Sequence, residues 1–303
     1  AELNCSEAQF NLGDLYIQGK FVTKDIDKAI HYFTLAANQN HSMAQYNLGI
    51  IYESNEYNTK NVDKSIYYYT LAANQNHPDA QFALGLYYEN NQNCNSSIDK
   101  AIYYYNLAAS NNHTESQFRL GYFHQTNNNI SKSIHYYILA ASNKHPKSLY
   151  NLGLIYLNRD IHQSLFYFEL AARQNYPEAK LFFAKIHLLY QFKISDFNLI
   201  IQYLIDASNA SIAEAQFFLG FIYESDKFVK QDIEKAIKYY KMAAAKYSQA
   251  RINLGRIFYE GKYVKRNIKE AIKYFDLAKK EDNNYDAMNY LGIIYKNGID
   301  VPK

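Results

Sequence analysis

The sequence predicts an all-α fold: a right-handed α-α superhelical solenoid of about eight helix-turn-helix units, with a ninth first helix. Three observations predict it. A short phrase returns nine times along the 303 residues, apolar residues recur inside each return at helical spacing, and helix-breaking residue types fall between the returns. A period in the thirties belongs to stacked supersecondary units, each burying its apolar face against its neighbours rather than in one compact core.

The phrase reads AQFNLGDLY over residues 8–16, AQYNLGIIY over 44–52 and AQFALGLYY over 80–88. Its glycine, first Gly13, Gly49 and Gly85, comes back at Gly121, Gly153, Gly220, Gly255 and Gly292, with Ala184 in that place in one degenerate copy. Successive spacings are 36, 36, 36, 32, 31, 36, 35 and 37 residues. The repeats start near residues 8, 44, 80, 116, 148, 179, 215, 250 and 287 and describe a single solenoid over residues 1–303.

Within each phrase the apolar positions, such as Ala8, Leu12, Leu15 and Tyr16, lie on one helical face. A second helical phrase follows, Ala29 to Ala37 in the first unit, then Ser65 to Ala73, Ala101 to Ala109, Ser133 to Ala141, Ser164 to Ala172, Ala236 to Ala244 and Ala271 to Lys279. Each unit is therefore a helix hairpin. Small residues at both ends of the second helix let neighbours approach, and a ring pair between them fills the gaps. An aromatic row preceding the glycine, Phe10, Tyr46, Phe82, Phe118, Tyr150 and Phe217, with Tyr290 taken into it, is expected to pack between repeats.

Six residues beyond the glycine, where the first helix is expected to end, stand Gly19, Asn55, Asn91, Asn127, Asp226, Gly261 and Gly298. These types tolerate a left-handed C-cap. Between the helices, Asp25, Asn61 and Asp232 are expected N-caps with acidic first turns behind them.

Composition bounds function. With 48% apolar residues the chain buries a large core, yet its apolar runs, such as residues 217–223, fall far short of the roughly 18 residues a membrane span needs. Cys5 and Cys94 form no CxxC pair and are read as spare thiols. Six Asn-x-Ser/Thr triplets, at Asn4, Asn40, Asn95, Asn112, Asn129 and Asn209, point weakly to a secretory route. Net charge is +3, but residues 227–303 carry 17 Lys and Arg against 9 Asp and Glu. The lysines there, such as Lys238, Lys241, Lys269 and Lys273, flank the apolar stripe of expected helices, so a solvated outer face is expected rather than a nucleic-acid site.

The combined pattern, A-x-x-x-L-G-x-x-Y-x-x-G followed by V-x-x-D-x-x-K-A-x-x-[W/Y]-[Y/F]-x-x-A-A, is met almost fully by residues 8–37. It resembles the Sel-1-like repeat, a relative of the tetratricopeptide repeat, and the resemblance covers the whole chain. Where that family often has Trp, this chain has Tyr in every copy, namely Tyr32, Tyr68, Tyr104, Tyr136, Tyr167, Tyr203, Tyr239 and Tyr274. The ring stack is expected to survive that change. Shortened repeats and Ala184 suggest a change of path around residues 121–200. Ala1 aligns with Ala37, and Gly298 to Lys303 stops where another second helix is due, so the chain is expected to be part of a longer protein.

No phosphate loop, nucleophile elbow or zincin motif is present, and no catalytic residue, metal ligand or cofactor is assigned. His41, His77, His113 and His145 recur in one inter-repeat turn, on the order of 10 Å apart by helix packing distances. That is too far for shared metal ligation, so a structural role is expected. The resemblance implies that first helices line a concave face where protein segments lie. Candidate partner-binding residues are a polar series read two residues before the glycine, Asn11, Asn47, Arg119, Asn151 and Asn253, with Asn289 counted with them. A ladder of amides both donates to and accepts from a bound backbone. The related carboxylate clamp needs lysines one turn earlier, where Glu7, Met43, Asp79, Glu115 and Glu178 stand, so a C-terminal carboxylate is not the expected ligand. The expectation is a non-catalytic scaffold or adaptor for other proteins or peptide segments, with no small-molecule substrate. Two alternatives stay open: a lumenal repeat region of an endoplasmic-reticulum quality-control adaptor, and an accessory solenoid of an enzyme whose catalytic domain lies outside this chain.

Overall fold

A computed structural model describes residues 5–57, 59–91, 95–190, 197–282 and 284–296. Seventeen helices lie among them. The hairpins are α1 (Ser6–Gln18) with α2 (Ile26–Asn38), α3 (Ser42–Glu53) with α4 (Val62–Asn74), α5 (Pro78–Asn90) with α6 (Asn95–Ser110), and α7 (Thr114–Thr126) with α8 (Ile130–Ser142). They continue as α9 (Pro146–Tyr156) with α10 (Ile161–Arg173), α11 (Pro177–Tyr190) with α12 (Phe197–Asn209), α13 (Ala213–Glu224) with α14 (Ile233–Ala243), α15 (Ser248–Glu260) with α16 (Ile268–Asp282), and a final first helix α17 (Tyr285–Lys296). Two compact units divide the chain, residues 1–148 and 149–303. In the first, each helix from α1 to α7 packs on the next; in the second, the same holds from α10 to α17. The fold is an all-α solenoid of helix hairpins.

First helices begin about two residues before the repeat starts read from sequence. At the first-to-second-helix loops Asp25, Asn61 and Asp232 accept from the backbone N–H of Lys28, Lys64 and Lys235, as expected. The bond from the Lys28 N–H holds the Asp25 carboxyl below its ordinary range, and the Lys235 N–H does the same for Asp232. The short repeats lose residues from this loop: α7 and α8 are joined by three residues, where α1 and α2 are joined by seven.

The left-handed caps correct the sequence expectation. Gly19 (φ 67°) and Gly261 (φ 64°) end first helices in that conformation, but Asn91 (φ −100°) and Asn127 (φ −92°) do not. Nor do Asn55 or Asp226 appear among the positive-φ residues, and Gly298 lies outside the described residues. After α7 the left-handed residue is Asn128 (φ 56°), one beyond the expected Asn127, and the other left-handed non-glycine residues follow the second helices, at Asn40, Asn76, Asn112, Lys144, Asn175 and Ser211, all with φ between 59° and 63°. The Asn40 N–H donates to the Ala37 carbonyl at 3.0 Å and the His41 N–H to that of Ala36 at 3.2 Å. That is a Schellman ending with asparagine in place of glycine. It recurs at residues 72–77 and 108–113.

The four turn histidines have a structural role. His41 Nδ1 accepts from the Ala44 N–H at 3.2 Å, and His77, His113 and His145 cap α5, α7 and α9 in the same way. Each ring lies on one of the preceding aromatic row, with centroids 4.6–4.8 Å apart: Phe10 on His41, Tyr46 on His77, Phe82 on His113 and Phe118 on His145. Each of these row members also meets an aromatic of its own second helix, as Phe10 meets Phe33 at 5.8 Å, so the row packs between repeats.

The repeated glycine is dictated by a ring. A Cβ on Gly49 would lie 2.4 Å from Cδ1 of Tyr69, and the same conflict joins Gly13 with Phe33, Gly85 with Tyr105, Gly121 with Tyr137, Gly153 with Phe168, Gly220 with Tyr240 and Gly255 with Phe275. Such approach of ring to backbone gives interior packing density without a void. Where Ala184 replaces the glycine, the register puts Leu204 opposite instead of a ring, and both are fully buried. The neighbouring tyrosines stack as expected: Tyr16 on Tyr32 at 5.8 Å and 2°, Tyr52 on Tyr68 at 6°, Tyr88 on Tyr104 at 1° and Tyr223 on Tyr239 at 4°. Lys28, Lys64, Lys100 and Lys235 lie 5.0–5.2 Å above four of these rings.

Buried glutamines staple the repeats. The Gln45 side chain, 1% exposed, donates to the Ala37 carbonyl at 3.1 Å and accepts from Gln75 at 2.7 Å, joining α2, α3 and the end of α4. Gln81 and Gln117 repeat the donation to Ala73 and Ala109. Each adds a second, side-chain donor to a helix-terminal carbonyl that already accepts from the Schellman turn, tying the next first helix to that turn.

Candidate partner-binding face

The exposed side of the first helices is set by register. Burying the alanine, leucine and glycine of the phrase turns outward the residues two before and one after the glycine, three apart and hence on one face. The first of these positions carries the amide series. The second carries Ile50 (40% exposed), Tyr122 (56%), Phe221 (42%) and Ile293 (46%).

The candidate residues do not form one uniform ladder. Asn11 is exposed and Asn47 half-buried, and neither side chain hydrogen-bonds to another described residue. Arg119 Nη1 reaches Glu89 at 2.8 Å, with Glu115 at 3.5 Å from its Nε. Asn253 donates to the Tyr240 hydroxyl at 2.9 Å, and Asn151 is engaged within the chain. Asn289 is out of register: it stands three residues before Gly292, and Tyr290 takes the place two before it. Asn289 is nonetheless exposed, while the Tyr290 ring turns inward onto Phe275, with centroids 4.7 Å apart.

Between successive first helices the face is pitted by one recurring pocket. Its back wall is a carboxylate four residues after the glycine, held by the phenol that packs on that glycine. The Tyr69 hydroxyl donates to Glu53 at 2.6 Å, Tyr105 to Glu89 at 2.5 Å and Tyr240 to Glu224 at 2.8 Å. Burial first, and then the adjacent carboxylate, push all three phenols well above their ordinary range, so they remain donors. The front wall comes from the next first helix: Ala83 and Leu86 facing Glu53, Arg119 and Tyr122 facing Glu89, Asn253 and Arg256 facing Glu224. The first pocket encloses about 340 Å³ and the second about 290 Å³. Sequence reasoning missed these carboxylates. Their signal was present as Glu53, Glu89 and Glu224, four residues after a glycine and sixteen before a tyrosine.

The remaining candidates fall elsewhere. Lys238, Lys241, Lys269 and Lys273 are exposed. Asn40, Asn112, Asn129 and Asn209 of the glycosylation triplets are exposed too, whereas Asn4 and the Asn95 side chain lie outside the described residues. Cys5 is exposed and Cys94 is likewise not described. Among the described residues no three His, Cys, Asp or Glu side chains gather as a metal site, and no helix is long and apolar enough to cross a membrane.

Comparison with known proteins places this architecture. A Sel1 repeat protein from Oxalobacter formigenes is 23% identical, with a TM-score of 0.65 over 95% of this chain and 86% of that one. The c5321 protein of uropathogenic Escherichia coli strains, described as a protective antigen displaying an SLR fold, is 23% identical, with a TM-score of 0.81 over 98% of this chain and 66% of that one. The chain thus spans a little under two thirds of that relative. No curated protein matches. The Sel1 repeat sequence model matches residues 6–41, 42–77, 78–113, 114–145, 146–176, 213–247, 248–283 and 286–303. Eight successive matches over a solenoid of this form show that the chain belongs to the Sel1 repeat family.

Proposed function

We propose that the chain is a non-catalytic scaffold that holds extended protein segments along its first-helix face. The fold is a repeat scaffold of the kind that commonly mediates protein–protein contact, and the reading rests on one observation. In the first unit, amides at Asn11 and Asn47 share the first-helix face with the exposed apolar side chains of Ile50 and Tyr122, Phe221 takes the same helix position in the second unit, and pockets open along these helices. Amides satisfy a backbone, exposed apolar side chains supply buried area, and pockets take alternate side chains; those are the three needs of extended-peptide recognition.

Second helices also expose rings, at Tyr67, Tyr103 and Phe166, but the pockets lie beside the first-helix stripe, which favours that face. Asn151 and Asn253 hold the amide position in the second unit, where Asn289 is also exposed, and Arg119 contributes charge in the first. The test is to footprint the chain in complex with a captured native partner. Protection at Ile50 and Tyr122, with none at Tyr67 and Tyr103, supports the reading; the reverse pattern moves binding to the second helices.

The exposed triplets at Asn40, Asn112, Asn129 and Asn209 favour a second reading, a lumenal adaptor of endoplasmic-reticulum quality control. Glycosidase treatment of the native protein tests it: a mass shift supports it, and an unchanged mass removes its basis.

A further inference from the structure

The recurring pocket occurs in two states of charge. At Glu89 the next helix supplies a guanidinium from two residues before the glycine, Arg119, with Nη1 2.8 Å from the carboxylate. At Glu224 it supplies one from the residue after the glycine, Arg256, which is ion-paired to it. Two different positions therefore deliver the same group to the same carboxylate. At Glu53 these positions are Ala83 and Leu86, and neither carries charge. Tyr69 donates to Glu53 as in the other two, so the carboxylate is oriented in the same way. Lys60 stands on the lining of this pocket, but among the described residues Glu53 makes no ion pair within 4 Å. Val62, Ile66, Leu86 and the Tyr69 ring supply an apolar wall, with Ser65, Asn90 and Asn91 also on the lining.

We infer that the pocket between α3, α4 and α5 is a specificity pocket for an arginine side chain of the bound protein segment, which supplies in trans the guanidinium that Arg119 and Arg256 supply in cis. This rests on the reading of the first-helix face as the segment-binding face and names the chemistry it selects. A guanidinium suits the site because its planar donors meet a carboxylate two at a time, while its stem and faces pack on apolar and aromatic walls. A volume of about 340 Å³ is ample for one side chain.

The test titrates the full chain with N-acetyl-arginine amide and, in parallel, N-acetyl-citrulline amide, which keeps the shape and loses the charge. The expected result is about tenfold preference for the arginine probe, the factor that a hydrogen bond to a charged group supplies. Glu53→Gln should erase the preference. Ala83→Arg places a guanidinium where Arg119 stands one repeat later, and should block the probe while the chain stays at least as stable. Equal binding of both probes to the unaltered chain, or arginine binding undiminished in either variant, overturns the inference. Should the probe fail while a captured partner still protects Ile50 and Tyr122, the pocket assignment falls and the segment-binding face stands. Should the probe bind while the partner protects only second helices, the face assignment falls instead.

Discussion

Alanine at the repeated glycine should have opposite effects at two positions of this one chain. On Gly49 the new Cβ lies 2.4 and 2.5 Å from Cδ1 and Cε1 of Tyr69. That ring is 4% exposed, is tied to Glu53 through its hydroxyl and is flanked by Tyr46, so it has nowhere to go. Overpacking of this kind costs up to about 3 kcal/mol. Alanine regains roughly 1 kcal/mol over glycine in a helix interior, so Gly49→Ala should destabilise by about 2 kcal/mol. On Gly292 a Cβ meets nothing within 4 Å, so only the propensity gain remains and Gly292→Ala should stabilise by about 1 kcal/mol. Tyr69→Leu should remove most of the cost of Gly49→Ala, because it recreates the Ala184 and Leu204 pair that the degenerate repeat already uses. Urea unfolding followed by circular dichroism reads the net change, and native-state hydrogen exchange locates it in α3 and α4. A Gly49→Ala variant as stable as Gly292→Ala, or a double variant no better than the sum of the singles, refutes the ring-against-glycine explanation.

Three further outcomes are expected. Gln45→Ala removes one of the two donors to the Ala37 carbonyl and the acceptor of the Gln75 amide, and should cost about 1–2 kcal/mol at about 1 kcal/mol per bond, seen as faster exchange around the α2–α3 turn. Burial holds His77 and His113 below the ordinary imidazole value of 6.5, against the opposing pull of Asp79 on both rings and of Glu115 on His113. The unfolded chain therefore takes up these protons first. Stability should be level above about pH 6.5 and fall as pH drops from there through the folded-state values, because protonation also removes the Nδ1 acceptor that caps α5 and α7. Replacing both histidines by asparagine, a cap that does not titrate, should flatten that acid limb in thermal melts, and an unchanged limb would assign it to other groups. Asn11→Ala with Asn47→Ala should weaken partner binding about thirtyfold, each lost hydrogen bond contributing about 1 kcal/mol, with circular dichroism unchanged; undiminished binding would remove the amides from the face while leaving its apolar stripe.

The helices, their pairing and the aromatic row were legible because they rest on local periodicity and on a phrase repeated nearly unchanged. Caps were legible where Asp or Asn precedes a helix, and the structural role of the turn histidines followed from their one-per-repeat spacing. The left-handed residues were misplaced for a physical reason: asparagine tolerates that conformation but does not require it. The tight Schellman turn before the next first helix requires it. The glutamine staples were hidden in the constant "AQ" of the phrase, where a polar residue beside a buried alanine gives no sign that it is buried too. The carboxylate pockets were hidden because their walls come from two repeats and their chemistry depends on which residue the second repeat supplies. Asn289 entered the amide series through a one-residue slip that the inward-facing Tyr290 ring exposes.

The most direct test of the segment-binding face is footprinting of the full chain with and without a captured native partner, by hydroxyl-radical oxidation read residue by residue. Protection confined to first-helix positions, Ile50, Leu86 and Tyr122 in the first unit and Phe221 in the second, is the expected result. Protection of Tyr67, Tyr103 and Phe166 with those positions left open would contradict it.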